Sequence, residues 1–373
     1  MGRNLKAIDF FCGAGGMTRG LLDAGVDVVA GVDNHLPCKK SYEYEGNNTR
    51  PDGSRASFIH ADINTITYEF LANATGISRN DDRLVFCGCS PCQYWSKINT
   101  SKTKASATKA LLHVFSQLVD EFRPGYVVVE NVPGLKARSE EAGLASFQDF
   151  LSTEGYGQNS AVVFAYQYGV PQKRRRFLLV ATRIASSGRK PSICLPPSEC
   201  AEKPYPSEMS TRAFIGEAHG FLRIEAGHRD RTPFMHTASG LSPENLKRIR
   251  MTPRNGGDRS AWRDDVELQI PAYLGRDEYF RDVYGRMKWE EPAPTITTRF
   301  ISLSNGRFGH PEEDRAISLR EGATLQTFPK SYVFDGVDAE IARQVGNAVP
   351  PELARRIGEH LLRHWRANGP GQN

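Results

Sequence analysis

The chain has 373 residues, of which 39% are hydrophobic and 24% are charged, and its formal net charge is +5. This length favours two domains, and the composition is ordinary for a soluble globular protein. No run of about 18 apolar residues occurs and no apolar leader follows Met1, which excludes a predicted membrane span and a secretory signal, so we expect a cytoplasmic protein. The seven cysteines are an odd number and favour free thiols, metal binding or catalysis over disulfides.

Short β-rich runs alternate with helical patterns along the first half of the chain. Strands are predicted at 6–11, 26–32, 57–60, 84–87, 126–129 and 177–181, and helices at 16–24 and near 105–121. Strands that alternate with helices indicate an α/β fold with a doubly wound, mostly parallel sheet. Ligands of such sheets bind at the carboxyl ends of the strands, so site residues are expected there.

The regular pattern fades after residue 182, where Pro, Gly, Ser and Arg become frequent. A helical pattern returns near 339–364. We therefore predict one domain formed by 1–184 plus 340–373 and a second, smaller, irregular domain formed by 185–339. The alternative is that the second region is a loop-rich insertion.

The first predicted strand runs into a glycine turn, Asp9-Phe10-Phe11-Cys12-Gly13-Ala14-Gly15-Gly16, that opens the first helix. Glycines let the backbone approach a ligand closely, and a helix N-terminus favours negative charge. Asp33 and Asp62 follow the next two predicted strands, where a carboxylate can bind ribose hydroxyls or an adenine amine. Together they predict a site for a nucleoside-containing cofactor. The alternatives are a tight turn without a ligand and aspartates that cap helices.

Three cysteines lie within the segment Cys87-Gly88-Cys89-Ser90-Pro91-Cys92-Gln93. Cys89 and Cys92 have the spacing of a metal-binding pair, and Cys194 with Cys200 is a candidate second pair. The second spacing is wide for a structural zinc site, and Pro91 stiffens the first, so we expect no metal. A buried thiol without a chemical role is the interpretation we favour for Cys87 and Cys89.

Two further segments place charged side chains at strand ends. Glu130 and Asn131 end the apolar run that begins at Tyr126, and Gln172-Lys173-Arg174-Arg175-Arg176 opens the last predicted strand. Because alternate strand residues face opposite sides, Gln172, Arg174 and Arg176 are expected on one face. A loop-anchoring carboxylate and a solvated run of positive charge are the alternatives.

The order of these motifs resembles the bacterial-type DNA (cytosine-5)-methyltransferase family over most of the chain, apart from about 183–281. Ser90-Pro91-Cys92-Gln93 resembles the family's Pro-Cys-Gln motif, Glu130-Asn131-Val132 its Glu-Asn-Val motif, and Gln172 to Arg176 its Gln-x-Arg-x-Arg motif. Near the end, Arg320 to Pro329 and Gln344 to Pro350 match two more family segments. Many relatives have Gly-Gly-Pro-Pro-Cys where this chain has Gly88-Cys89-Ser90-Pro91-Cys92.

The resemblance implies a methyltransferase fold of the adenosylmethionine-dependent type, with 185–339 as the target-recognition domain. It implies that Cys92 adds to carbon 6 of a cytosine flipped out of duplex DNA. Glu130 would protonate ring nitrogen 3, Asn131 would support Glu130, and Arg174 would hold the base carbonyl and favour the thiolate. The expected catalytic residues are Cys92, Glu130, Arg174, Arg176, Gln172 and Asn131.

The resemblance also implies S-adenosyl-L-methionine as the methyl donor. The residues expected to bind it are Phe11, Cys12, Gly13, Gly15, Gly16, Asp33, Asp62, Ile63, Pro91, Asn347, Ala348 and Val349. Arginines of the second domain, such as those of the segment from Arg254 to Arg259, are candidate DNA contacts. We expect a monomer that acts on double-stranded DNA in restriction–modification or phage defence, with any cognate endonuclease acting separately.

Three rival functions remain at this point. A tRNA cytosine methyltransferase of the same superfamily would not need a recognition region of this length. A non-catalytic DNA-binding regulator would not need the intact set of Cys92, Glu130 and the Gln-x-Arg-x-Arg motif. A nicotinamide dehydrogenase would account for the glycine turn and for none of the later motifs, and the turn lacks the Gly-x-Gly-x-x-Gly spacing.

Overall fold

The computed structural model describes residues 4–89, 102–186, 188–198, 205–274 and 280–370, and the backbone alone for 102–110. Its contacts divide the chain into two compact units. Unit 1 comprises Met1–Phe164, Arg175–Ser198 and Val349–Asn373, and unit 2 comprises Ala165–Arg174 and Glu199–Ala348. The predicted domains differ from these units at their boundaries, and the role of 185–339 in target recognition stays a prediction.

Unit 1 is built on a seven-stranded sheet with the order β3-β2-β1-β4-β5-β7-β6. Its strands are β1 Lys6–Phe10, β2 Asp27–Asp33, β3 Ser57–His60, β4 Leu84–Gly88, β5 Tyr126–Asn131, β6 Gly157–Phe164 and β7 Arg175–Thr182. The pairings among β1 to β5 are parallel, whereas β7 runs antiparallel to both β5 and β6. The sheet is therefore mixed, and the predicted α/β class is confirmed.

Helices of unit 1 cover both faces of this sheet. They are α1 Gly16–Asp23, α2 Lys39–Tyr42, α3 Tyr68–Thr75, α4 Lys102–Phe122, α5 Gly134–Ala137, α6 Ser139–Ala142, α7 Leu144–Thr153 and α11 Pro351–Asn368. Phe10 and Phe86 of the sheet share one apolar core with Phe115 of α4 and Phe147 of α7. On the opposite face, Asp9 contacts α1 and Tyr126 contacts α11. Alternate residues of a strand thus serve two different helical layers.

The C-terminal helix α11 packs directly on α1. A Cβ atom at Gly20 would lie 2.0 Å from the carbonyl oxygen of Pro351 and 2.5 Å from the Cβ of Ala354. The two helices therefore meet with their backbones nearly in contact, which only glycine permits. This contact holds α11 within unit 1 and supports the middle of α1, the helix that follows the glycine turn.

The predicted helix near 339–364 is two helices. Asp338–Asn347 forms α10 in unit 2, and Pro351–Asn368 forms α11 in unit 1. The break falls at Pro350 and Pro351, because a proline cannot donate to the helical ladder and disfavours helical backbone in the residue before it. The helical pattern predicted near 339–364 is therefore present and is divided between two helices.

Unit 2 has little regular structure among its described residues. Its helices there are α8 Pro243–Met251, α9 Leu319–Leu325 and α10, and its β-pairing is limited to isolated bridges. An apolar cluster around Ile249, Trp262 and Tyr284 provides part of the core. Buried arginine side chains provide another part, with Arg286 and Arg315 among the largest fully buried groups. None of the helices in the described ranges combines the length and apolar character needed to cross a membrane.

Candidate active site

The candidate site lies at the carboxyl edge of the sheet in unit 1. Phe10 at the end of β1 pairs with Val32 of β2 on one side and with Gly88 of β4 on the other. Gly88 in turn pairs with Val129 of β5. The chain order reverses between β1 and β4, which is the place where an open sheet of this type leaves a crevice for ligands. The ends of four strands therefore converge on one region.

The glycine turn after β1 is held in an unusual backbone conformation. Phe11, Gly13 and Gly15 have φ angles of 62°, 51° and 89°. A positive φ at a bulky residue such as Phe11 costs on the order of 1–3 kcal/mol and is common at ligand sites. A Cβ at Gly13 would meet no atom of the described part of the chain within 4 Å, so the backbone there faces open space among these residues. An exposed turn at the start of α1 fits a ligand that approaches the main chain closely.

Asp33 fixes the geometry of this turn. Its carboxylate accepts hydrogen bonds from the N–H groups of Gly13 at 2.8 Å and His35 at 2.7 Å. It therefore orients the main chain beside the open space at Gly13. Asp62 is exposed and accepts from the backbone and side-chain nitrogens of Asn64, at 3.0 and 2.7 Å, which is the contact of a capping residue.

Two further predicted cofactor residues of unit 1, Cys12 and Ile63, are both buried. Burial, together with the nearby charges of Asp33 and Asp9, raises the pKa of the Cys12 thiol well above its usual range. Cys12 is therefore a neutral packing group beneath the turn and is unsuited to nucleophilic chemistry.

Asp9 lies under the same turn, and its role was not found from the sequence. Its Oδ2 accepts from the backbone N–H of Thr18 at 3.1 Å and from the Thr18 hydroxyl at 2.7 Å. Helix α1 has no side-chain cap from its own N-cap residue, Gly15, so Asp9 supplies that cap from the neighbouring strand. The Oδ1 atom is buried without a hydrogen-bond partner. Burial raises the pKa of Asp9 to about 7, against the lowering effect of the Thr18 hydrogen bonds.

An ion pair stands at the end of β5. The Nε atom of Arg176 lies 2.8 Å from Oε1 of Glu130, and the side chains are only 11% and 8% exposed. The contact does not meet the geometry of a hydrogen bond, and Glu130 Oε1 has no hydrogen-bond partner among the described residues, so the attraction is mainly between the charges. Arg176 also donates from Nη1 to the carbonyl of Arg175 at 2.7 Å. Asn131, fully buried, accepts from the N–H of Val132 and anchors the chain after Glu130.

Cys89 lies beside this ion pair. Burial raises the pKa of its thiol well above the usual range, and the charges of Glu130 and Asp9 add to that effect. Cys87 is fully buried, and this burial likewise raises the pKa of its thiol. Both are free thiols with neutral character, as expected for packing residues. Cys92 and Pro91 lie outside the described residues. The role of Cys92 as the nucleophile therefore stays a prediction.

Gln172 and Arg174 belong to unit 2 and are part of a buried hydrogen-bonded cluster there. Burial alternates along the motif, with Gln172, Arg174 and Arg176 buried and the two residues between them exposed. Arg174 donates from Nη1 to the carbonyl of Ile296 at 2.9 Å and from Nη2 to the carbonyls of Gly346 and Ala348, both at 3.3 Å. Through these contacts with main-chain carbonyls, Arg174 holds separate segments of unit 2 together.

The last predicted cofactor residues lie where α10 ends. Asn347 is exposed, Ala348 is half-buried and Val349 is buried. The preceding Gly346 is packed so tightly that a Cβ there would come within 2.3 Å of the carbonyl carbon of Thr297. Gln326 donates hydrogen bonds to this segment, and its role was not predicted from the sequence, although it lies within the matched segment from Arg320 to Pro329. The region around Ile296 was not predicted to contribute either.

Two arginines of the candidate DNA-contacting segment differ in exposure. Arg254 is exposed, whereas Arg259 is only 4% exposed and its guanidinium lies 4.9 Å from the ring centroid of Tyr273. Only the first of these side chains is accessible for contacts from solvent.

Comparison with solved structures defines the fold of this protein. Chains that share its fold include the Dnmt2 methyltransferase of S. pombe, with 14% identity, a TM-score of 0.55 and coverage of 98% of this chain and 99% of that one. The methyltransferase EhMeth of Entamoeba histolytica shares 13% identity with a TM-score of 0.58, over 97% of this chain and 99% of that one. The fold is thus the α/β fold of methyltransferases.

The family follows from the sequence comparisons. The model of the C-5 cytosine-specific DNA methylase family matches residues 5–363. The Type II methylase M.HgiDII of Herpetosiphon aurantiacus is 36% identical over 95% of this chain and 94% of its own length. The Type II methyltransferase M1.BsuMI of Bacillus subtilis is 29% identical over 96% of this chain and 81% of its own length. The chain belongs to the C-5 cytosine-specific DNA methylase family, as its motifs predicted, and is a DNA (cytosine-5-)-methyltransferase.

Proposed function

We propose that this enzyme transfers a methyl group from S-adenosyl-L-methionine to carbon 5 of a cytosine flipped out of duplex DNA, through a covalent adduct with Cys92. The observation that carries the proposal is the buried ion pair of Glu130 and Arg176 at the carboxyl edge of the sheet. It places a carboxyl group and a fixed positive charge next to Cys89, three residues before the predicted nucleophile. The Type II names of its relatives support a role in restriction–modification or phage defence in the cytoplasm.

The residues of the glycine turn fit a nucleoside-containing methyl donor. Gly13 presents its backbone to open space, and Asp33 already orients the Gly13 N–H and faces the same turn. Phe11, Gly15, Gly16, Asp62 and Ile63 would complete this side of the site, and Asn347, Ala348 and Val349 would contribute from the C-terminal segment. When bound, S-adenosyl-L-methionine supplies an electrophilic methyl group on a sulfonium. The exposed Asp62 has room to accept from an amine.

The chemistry of the base would depend on Cys92 and Glu130. The Cys92 thiolate adds to carbon 6 of cytosine, and the electron pair of the 5,6 double bond moves to carbon 5. Glu130 donates a proton to ring nitrogen 3, which neutralises the charge that the addition creates. Carbon 5, now nucleophilic, would take the methyl group from the sulfonium, whose carbon–sulfur bond breaks and leaves a neutral thioether. A base would then remove the proton from carbon 5, the thiolate would leave to restore the 5,6 double bond, and the proton on ring nitrogen 3 would return to Glu130.

The geometry supports Arg176, ahead of Arg174, as the arginine that holds the base and favours the thiolate. Arg176 is paired with Glu130 and keeps about a tenth of its side chain exposed. Arg174 is bound to main-chain carbonyls of unit 2. A positive charge beside a thiol raises its ionised fraction, so the arginine near Glu130 is the better placed of the two. Gln172 and Asn131 would then act by holding these residues in position.

The test is to trap the covalent adduct. Duplex DNA with 5-fluorocytosine at the target site is incubated with enzyme and S-adenosyl-L-methionine, and the mixture is resolved by denaturing electrophoresis. Because fluorine cannot leave as a proton does, the wild-type enzyme should accumulate a protein–DNA adduct that resists denaturation. Cys92→Ala should form none while it still binds DNA. An adduct of equal yield in Cys92→Ala would disprove the assigned nucleophile.

A further inference from the structure

A buried glutamine in unit 2, Gln326, holds together three segments that are far apart in the sequence. It follows the last residue of α9 and is fully buried. Its amide Nε2 donates to the carbonyls of Val345 at 2.8 Å and Ala348 at 3.0 Å. Its Oε1 accepts from Gln172 at 2.6 Å and from Arg174 at 3.4 Å. One side chain therefore joins the Gln-x-Arg motif to the segment that carries Asn347.

All the hydrogen-bonding positions of this amide are used. A primary amide has two N–H donors and two acceptor lone pairs, and the four contacts of Gln326 account for each of them. A flipped amide would turn its oxygen toward two carbonyls and its nitrogen toward two donors, so one orientation alone satisfies the site. A buried, fully satisfied polar group of this kind favours a single conformation of the segments that it contacts.

The neighbouring contacts make the segment from Val345 to Ala348 rigid on its other side. Gly346 is packed against the main chain of Thr297 and Thr298, with no room for a Cβ. Gln172 fixes the same region, because its Oε1 accepts from the N–H of Ile296 at 2.9 Å. The exposed Asn347, the last residue of α10, thus lies in a segment whose flanking carbonyls are held by Gln326 and whose glycine packs on the main chain of Thr297 and Thr298.

We propose that Gln326 is a positioning residue that presents Asn347 and Ala348 to the methyl donor, and that its loss weakens donor binding without changing the chemistry at the base. This inference rests on the proposed function, in which Asn347 and Ala348 belong to the cofactor site. Gln326 acts through the 345–348 segment and does not itself touch the donor. A merely structural glutamine would affect the folded fraction and would leave the apparent affinity of the remaining enzyme unchanged.

The test uses Gln326→Glu, which keeps the size of the side chain and replaces the N–H donors by an oxygen. The new carboxylate can still accept from Gln172 and Arg174, and the arginine charge helps to retain the fold. It can no longer donate to Val345 and Ala348. Gln269→Glu is the matched control, because Gln269 also donates its amide to a main-chain carbonyl of unit 2, that of Arg263 at 2.6 Å.

Binding of S-adenosyl-L-homocysteine is measured by titration calorimetry with the full-length proteins. We expect the dissociation constant to rise at least tenfold in Gln326→Glu and to stay within twofold of wild type in Gln269→Glu. In methylation assays, the KM for S-adenosyl-L-methionine should rise by a similar factor, while kcat at saturating donor stays within threefold. A wild-type dissociation constant in folded Gln326→Glu would overturn the proposal, as would a fall in kcat with an unchanged KM.

Hydrogen exchange provides a readout that does not depend on the donor. Amides of 343–350 should exchange faster in Gln326→Glu than in wild type, and exchange at the same rate would contradict the positioning role. If the wild-type enzyme binds no S-adenosyl-L-homocysteine, the proposed cofactor fails, and the exchange experiment alone decides the role of Gln326. If Gln326→Glu does not fold, Gln326→Met takes its place, since it removes the same donors without adding a charge.

Discussion

Asp9 illustrates how a single buried carboxyl can link the stability of unit 1 to pH. Its pKa is raised to about 7 by burial, whereas an aspartate in an unfolded chain has a pKa of about 3.9. Between these values the folded state keeps a proton that the unfolded state releases, so stability falls as pH rises from about 4 to about 7. Above pH 7 both states are ionised, and the contribution levels off.

Asp9→Asn should remove this dependence. The amide oxygen of asparagine can still accept from the N–H and hydroxyl of Thr18, and the group carries no charge at any pH. We expect the loss of stability between pH 5 and pH 8 to be smaller in Asp9→Asn than in wild type, by on the order of a few kcal/mol. Urea unfolding at the two pH values measures it, with the exposed Asp264→Asn as control. Parallel pH curves for wild type and Asp9→Asn would contradict the assignment.

Motif residues were easier to single out from the sequence than the residues that support them. The motifs around Cys92 and Glu130 were recognisable because the proposed reaction needs those residue types in that order. The protonation of Asp9 depends on burial, and the surroundings of Arg174 depend on a partner more than 100 positions away. A spacing of two residues placed both arginines on one face and could not tell which of them meets Glu130.

At the level of elements, the contact of α1 with α11 depends on one glycine. Alanine is a better helix former than glycine by about 1 kcal/mol, so Gly20→Ala would stabilise an isolated helix. Here the added Cβ would meet the carbonyl oxygen of Pro351 and the Cβ of Ala354 at 2.0 and 2.5 Å. The helices must separate, and we expect a net destabilisation on the order of 2 kcal/mol.

Thermal and urea unfolding check this prediction, with Gly216→Ala as the control. Gly216 has extended backbone with a φ of 177°, and a Cβ there would meet its nearest atom at 3.8 Å. The control should unfold close to wild type. Equal stability of Gly20→Ala and wild type would show that the two helices are not pressed together as tightly as the structure indicates.

The parallel strands could be predicted from the sequence, and the antiparallel edge could not. Strands β1, β2, β4 and β5 are short, mainly apolar runs, because residues on both of their faces are mostly buried. Strand β6, Gly157–Phe164, begins with polar residues and is mostly half-buried, so it lacks that signal. Nothing in the composition of β7 states its direction, which is set by its pairing with β5 and β6.

At the scale of the whole molecule, we expect the arginines of unit 2 to serve two purposes, one in the fold and the other in contacts with DNA. Arg286 donates to the carbonyls of Thr252, His310 and Ile249 at 2.8 to 3.0 Å. Arg315 is fully buried and forms a two-pronged ion pair with Glu321, at 2.7 and 2.8 Å. Guanidinium groups thus replace some of the main-chain pairing that regular structure would provide. An arginine-rich composition therefore identifies DNA-contacting residues only after the buried side chains are set aside.

The pair of Arg315 and Glu321 allows these two purposes to be separated by experiment. Burial opposes ionisation of Glu321, and the charge of Arg315 outweighs it and holds the pKa of the carboxyl below its usual range. Arg315→Met would leave that charge buried, because His310 nearby is kept neutral by burial that lowers its pKa to about 4. Breaking a buried pair in this way costs about 3–5 kcal/mol.

We expect Arg315→Met to unfold at a lower urea concentration than wild type, and Arg315→Met with Glu321→Gln to recover part of the loss, since the uncompensated charge is then gone. Arg254→Met, which changes an exposed arginine of the same unit, should unfold like wild type. It should instead weaken DNA binding and reduce its dependence on salt, because one phosphate contact is lost. A destabilised Arg254→Met, or Arg315→Met with wild-type stability, would mean that burial does not divide the arginines of unit 2 by role.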